Sequence, residues 1–327
     1  MNIKRNIVLT IISLFLFSQL RCFSQDINIA FTIDNNYPIF TLLAINSILK
    51  NNHSGNHYNF YIVNNNITDK NKLLMKKFVE DKNQTIEFIQ VNPDIITKGK
   101  DFYQYLYSRI TSMGMVRILL PEILPDNMDR VLYLDGDILV TSDIAELYNT
   151  DLGDKIVAMS FNKSHITVDI TKYYCNSGVI LMDIGKWKAE KITDKMLLYI
   201  EENKEKFSNN GDRTKVFKYP DQDLINIVLE GKIKFLERRW NNVLTPVSNA
   251  KEMSGLNHFI GPKKPWDFPR THNSAFKLYY KYWNDSPLRM YKYYYILKST
   301  ISRYINSLLN IPKYLVRKVT GTPKEQN

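Results

Sequence analysis

Cysteine is almost missing from this chain: 327 residues carry two, Cys22 and Cys175. Two thiols cannot staple a disulfide scaffold or build a cysteine zinc site. The fold has to rest on an apolar core, which a hydrophobic content of 44% can supply. Glycine is scarce as well, at 12 residues, and neither G-x-G-x-x-G nor G-x-x-x-x-G-K-[ST] occurs. Dinucleotide-binding and P-loop readings therefore lack their usual phosphate cradle. No long disordered stretch and no internal repeat stand out. Acidic residues are absent altogether from Arg289 to Lys318.

What is present reads as one domain of about 250 residues with appendages. Lys4 and Arg5 precede an uncharged run from Ile7 to Leu20. That run is shorter than the roughly 20 residues of a spanning helix and fits the h-region of a signal peptide. Cys22 and Ser24 are small residues at −3 and −1 cleavage positions. Residues 1–24 are expected to be a signal peptide or short anchor, of open sidedness, and are left out of the fold. A net charge of +11 favours anionic partners without choosing among phosphates, nucleic acid and membrane surface.

Strand and helix signals then alternate. Ile27–Ile33 is an apolar run ending at Asp34, and from Pro38 an apolar helix face carries Leu42, Leu43, Ile45, Ile48 and Leu49. Phe60–Val63 predicts a second strand, Thr68 opens a helix, and Thr85–Val91 predicts a third strand. Met113–Leu120 predicts a helix stopped by Pro121. Such alternation implies βαβ units and a mostly parallel sheet with helices on both faces. Ligands of such sheets gather outside the carboxyl ends of the strands.

The segment VLYLDGDILVTSD, residues 131–143, ends a greasy strand on Asp135 and Asp137. Two carboxylates at i and i+2 of a strand point to one side. Their repulsion raises one pKa unless a cation lies between them. Hard oxygen donors suit Mg²⁺ or Mn²⁺, ions that keep positions for water and substrate phosphate. The bland alternative is a loop with two solvated aspartates. One functional alternative is a haloacid-dehalogenase-like phosphatase, but Leu139 stands where Thr or Val is expected. About 100 residues of chain also precede a motif that normally opens that domain.

IAFTIDNNY (29–37), VLYLDGDILV, YCNSGVILMDIGKW (174–187), YPDQDLIN (219–226) and HFIGPKKPW (258–266) together resemble glycosyltransferase family 8. That family includes glycogenin and bacterial lipopolysaccharide galactosyl- and glucosyltransferases, and the bacterial branch is the nearer match. The resemblance implies a GT-A fold over residues 25–285. It also implies retaining transfer of glucose or galactose from a UDP-sugar, with Mn²⁺ or Mg²⁺ as cofactor, to a glycan or glycolipid such as lipopolysaccharide. On it, Asp135, Asp137 and His258 match metal ligands, and Asp34 and Asn36 match residues around the uridine. Gly261 and Lys264 match the diphosphate-binding loop, Arg117 a basic group near the donor. Asn176, Asp221, Gln222 and Asp223 match sugar and acceptor positions. Residues 221–223 also read as the N-cap of a helix over Leu224–Leu229. Where bacterial members often have an acidic residue after the strand at 155–160, this chain has Phe161-Asn162, so the sugar is not copied across. A non-catalytic nucleotide-sugar-binding module remains a further alternative, and nucleic acid is not an expected partner.

Residues 286–327 form a basic amphipathic tail. Seven Lys or Arg alternate with aliphatic and aromatic residues between Arg289 and Lys318, as a membrane-surface helix requires. A terminal helix packed on the domain is the plain alternative.

Overall fold

A computed structural model describes residues 24–91, 112–161, 173–203, 219–245, 254–261, 264–267 and 274–309. The N-terminal segment, Asn162 and the tail beyond residue 309 lie outside the described residues. The chain divides into two compact units, Met1–Asn242 with Ser254–His258, and Val243–Met253 with Phe259–Asn327.

The first unit opens with β1 (Asp26–Asp34), α1 (Pro38–Lys50), β2 (His57–Asn65), α2 (Asp69–Glu80) and β3 (Thr85–Gln90). Pro38 starts α1, where its missing N–H costs nothing, and the Thr68 hydroxyl caps α2 by accepting from Asn71 N. The helix expected at Met113–Leu120 is broken. It comprises α3 (Ser112–Val116), a 3₁₀ turn (Arg117–Leu119) and α4 (Leu120–Ile123). Pro121 opens α4 instead of stopping a helix, because proline is tolerated in a first turn. Then follow β4 (Arg130–Leu134), β5 (Ile138–Val140), α5 (Ala145–Tyr148), β6 (Val157–Ser160) and β7 (Val179–Asp183). The unit continues with α6 (Ile184–Ala189), α7 (Ile192–Glu202), α8 (Pro220–Val228) and β8 (Ile233–Leu236). It closes through β9 (Asn242–Leu244) and β10 (Leu256–Phe259), which straddle the boundary between the units.

Seven strands form one sheet in the order β3-β2-β1-β4-β7-β6-β8. It is parallel except at β7, which runs against both β4 and β6. Ala30, Val131, Tyr133 and Val157 share a core with Met115, Ile118, Trp187, Met196 and Leu224. The intervening Ile29, Phe31, Leu132 and Leu134 are buried as fully. Burial on both faces is why these strands read as unbroken apolar runs. Trp187 belongs to this core, its indole N–H donating to Thr193 Oγ1 at 2.9 Å.

The second unit holds α9 (Ser274–Asn284) and α10 (Arg289–Leu309). Tyr279 is its hub, with ring centroids 5.1 Å from Phe259, 5.8 Å from Trp266 and 5.8 Å from Trp283. Trp266 is thus a core residue of this unit. Among the described residues no helix is long and apolar enough to cross a membrane.

Candidate active site

Asp135-Gly136-Asp137 is not part of a strand: it is the turn between β4 and β5. The two carboxylates still converge, because a turn clamped at both ends is as constrained as a strand. Asp135 N donates to Gly178 O at 2.9 Å at the start of β7. On the other side β5 pairs antiparallel with β10, with His258 opposite Ile138. That register carries His258, more than a hundred residues on, next to Asp137.

His258 Nε2 lies 3.4 Å from Asp135 Oδ2 and 3.2 Å from Asp137 Oδ1. One donor atom from each of the three residues falls within 4.8 Å of the others. Gly178 forms the wall: a Cβ there would stand 2.1 Å from His258 Cε1 and 2.9 Å from Asp135 Oδ2. Only glycine permits an approach this close. Two carboxylates and an imidazole facing one point are a donor set that fits Mn²⁺ and, less closely, Mg²⁺.

Burial lowers the basicity of His258, but the charge of Asp137 and hydrogen bonds to Asp135 and Asp137 outweigh it and hold the imidazole up at about 9. Burial likewise pushes the Asp135 carboxyl up, whereas Arg117 and His258 pull it further down, below the usual carboxylate range. Arg117 is buried across the site. Its Nη2 is 3.1 Å from Asp135 Oδ1 and its Nε 3.3 Å from Asp221 Oδ2. It donates to Ser177 O at 2.8 Å and stacks over Tyr133, 4.8 Å from the ring centroid.

Asp34, Tyr37, Arg117, Asp135 and Asp137 line one cleft of about 120 Å³ at the carboxyl ends of β1 and β4. Asn36 orients the Asp34 carboxylate, donating from its backbone N at 2.8 Å and from Nδ2 at 3.2 Å. Asp221, Gln222 and Asp223 are in the first turn of α8 and begin two residues past the cap, which is Tyr219. The expected N-cap role is therefore corrected: Asp223 instead reaches back to accept from Tyr219 N at 3.1 Å. All three are buried. Asp221 accepts from Ser177 Oγ, Gln222 from Asn176 Nδ2 and Ser177 N, and Asp223 from the Tyr174 hydroxyl. Gly261 and Lys264 belong to the second unit, where Gly261 has φ +86° and Lys264 Nζ donates to Phe259 O at 2.7 Å.

Five site residues had escaped the sequence reading: Tyr37, Tyr133, Ser177, Gly178 and Asn241. Tyr133 was within reach, since period 2 places it on the same side as Asp135. Asn241 leaves no local signal.

The family model for glycosyl transferase family 8 matches residues 28–269. The chain belongs to this family. As a family 8 member it is an enzyme, a glycosyltransferase. It is 28% identical over 266 residues to the lipopolysaccharide 1,2-glucosyltransferase of Escherichia coli K12, covering 74% of this chain and 73% of that one. General stress protein A of Bacillus subtilis is 25% identical over 261 residues, covering 73% and 87%. The galactosyltransferase LgtC, solved with donor and acceptor sugar analogs, superposes with TM-score 0.65 at 23% identity, covering 80% of this chain and 96% of LgtC. The family 8 chain shares its GT-A fold.

Proposed function

We propose that this enzyme is a retaining, divalent-metal-dependent hexosyltransferase that moves glucose or galactose from a UDP-sugar to a glycan or glycolipid acceptor such as lipopolysaccharide. The observation that carries the reading is the convergence of Asp135, Asp137 and His258 beside the cleft that Asp34 and Arg117 line. These three residues would hold Mn²⁺, or Mg²⁺, whose charge offsets the negative charge gathering on a diphosphate leaving group. Asp34, oriented by Asn36, would accept hydrogen bonds from the nucleoside of the donor. Arg117 holds Asp135 and Asp221 in register, tying the metal corner to the helix that bears Gln222. The proposed sugar-facing roles of Asn176, Asp221, Gln222 and Asp223, and the diphosphate-loop roles of Gly261 and Lys264, rest on the family resemblance. Lipopolysaccharide as acceptor draws on the names of the Escherichia coli relatives.

Membrane association belongs to the same proposal. Met290, Tyr294, Leu297, Ile301 and Tyr304 are exposed on α10 at helical spacing. Arg289, Lys292 and Lys298 accompany them, with no acidic residue in the helix. Such a surface fits an anionic lipid face.

Turnover with UDP-glucose and UDP-galactose, followed as UDP release with and without Mn²⁺, tests the reading. The anomeric configuration of the product is to be read by NMR. Metal-dependent UDP release with retention supports it. Hydrolysis of aryl phosphates without sugar transfer, or UDP binding without turnover, overturns it.

A further inference from the structure

The imidazole of His258 is held from behind by two side-chain amides, and the identity of every atom in that hold can be traced to backbone N–H groups. Ser177 N donates to Gln222 Oε1 at 3.1 Å, which fixes that atom as the oxygen. Asn176 Nδ2 then donates to the same oxygen at 2.8 Å. Asn176 Oδ1 is consequently on the opposite side, where Gly178 N donates to it at 3.0 Å, a second backbone check on the same amide. Asn241 faces Asn176 with an atom 2.8 Å from Asn176 Oδ1 and 3.3 Å from Asn176 O. Two acceptors there require a donor, so that atom is Asn241 Nδ2, and Asn241 Oδ1 turns the other way.

It turns to His258. The Nδ1 atom is 3.1 Å from Asn241 Oδ1 and 3.1 Å from Asn176 Oδ1. A ring nitrogen between two carbonyl oxygens has to carry its proton, because a lone pair there would face two others with nothing to share. Nε2, the opposite ring atom, is directed at Asp135 and Asp137, where a proton or a cation can sit between the ring and the carboxylates.

We propose that Asn241 is a positioning residue: with Asn176 it accepts the Nδ1–H of His258 and so aims Nε2 at the two aspartates. Asn241 touches neither carboxylate of the triad in any contact described, and it acts through the imidazole. Nothing in the family blocks of the sequence singles it out. The consequence for a metal rests on the functional reading above, whereas the hold on Nδ1–H does not.

The test therefore has two arms. ¹H–¹⁵N spectra of histidine-labelled, metal-free enzyme read the ring N–H groups directly. Wild type is expected to show an Nδ1–H of His258 protected from exchange with water, and Asn241→Leu one that exchanges about tenfold faster. In the second arm, calorimetric titration of Mn²⁺ alone is expected to give binding about 10- to 100-fold weaker in Asn241→Leu than in wild type. An unprotected Nδ1–H in wild type overturns the proposal, and so does a folded Asn241→Leu with unchanged protection and affinity. If Asn241→Leu does not fold, the wild-type spectrum alone decides. A protected Nδ1–H without any Mn²⁺ binding would sink the metal reading and leave the positioning role standing.

Discussion

The Tyr133 hydroxyl donates to Asp135 Oδ1 at 2.5 Å, and Arg117 Nη2 approaches the same oxygen at 3.1 Å. One carboxylate oxygen is thereby engaged twice, which directs the other, Oδ2, to His258. Tyr133 itself is completely buried and also bonded to Thr32 Oγ1 at 3.2 Å.

Tyr133→Phe keeps the ring that Arg117 covers and removes only the hydroxyl. A hydrogen bond to a charged group contributes about 1.5–3 kcal/mol, so the variant should melt earlier but stay folded. Its stabilisation by Mn²⁺ should also shrink, since ligand binding adds to stability in proportion to affinity. Thermal unfolding with and without Mn²⁺ checks both, and an unchanged metal-induced shift would show that Tyr133 does not orient Asp135.

Asp135→Asn and Asp137→Asn should each cut transfer by about a hundredfold or more, the loss of several kcal/mol of charge stabilisation. The two variants should differ in stability. Asp135 neutralises the buried Arg117, and breaking a buried pair costs about 3–5 kcal/mol when no partner remains. Asp221 still holds that guanidinium, so Asp135→Asn should lose less than this and Asp137→Asn less again. Initial rates and urea titrations of both proteins measure the contrast. A tenth of wild-type activity surviving in both would refute the assignment.

The pH response follows from His258. Sequence alone places proton competition near the ordinary histidine value of about 6.5; the two carboxylates move it to about 9. The folded value lies above the unfolded one. The metal-free enzyme therefore holds this contribution in full below about pH 6.5 and loses it as pH rises through about 9. Metal binding runs the other way, gaining about tenfold in affinity per pH unit until the ring is neutral. Calorimetry of Mg²⁺ at pH values between 7 and 9, in buffers of different ionisation heat, should report about one proton released per ion. No proton release would mean that His258 does not coordinate.

Vesicle binding probes α10. Removing the whole helix would strip Tyr295 from Trp283, whose ring centroids are 6.3 Å apart, and so disturb the second unit. Leu297→Ser with Ile301→Ser changes only exposed positions. That pair should weaken sedimentation with phosphatidylserine vesicles severalfold, and salt should weaken the wild type, as each cation near the surface contributes about 1 kcal/mol. Equal binding by both proteins would remove the membrane role.

The inner strands of the large sheet were readable because they are buried on both faces and bounded by turn residues, as Ile27–Ile33 before Asp34 illustrates, whereas the half-exposed edge strand β8 was not. Asp135 and Asp137 were readable because charge at the end of a buried run needs a reason. His258 came only through the block around it, since a single histidine has no periodicity to betray it. β5 and β10 are too short, at three and four residues, to register as patterns. Asn176 and Asn241 are 65 residues apart, and their mutual bond exists only once the chain has closed. Pro121 misled because the same residue ends one helix and begins another.

The pairing of β5 with β10 also sets a clock. Asp137 leaves the ribosome 121 residues ahead of His258. At about 5–20 residues per second, the nascent chain spends roughly 6–24 s with both aspartates made and their third companion still unsynthesised. Two adjacent acids, later quieted by an imidazolium, must meanwhile be tolerated by a partly folded sheet. Arg117 has already been made and can take that charge first. Along the chain Arg117 thus precedes Asp135 and Asp137, and the histidine is the last of the four to be made.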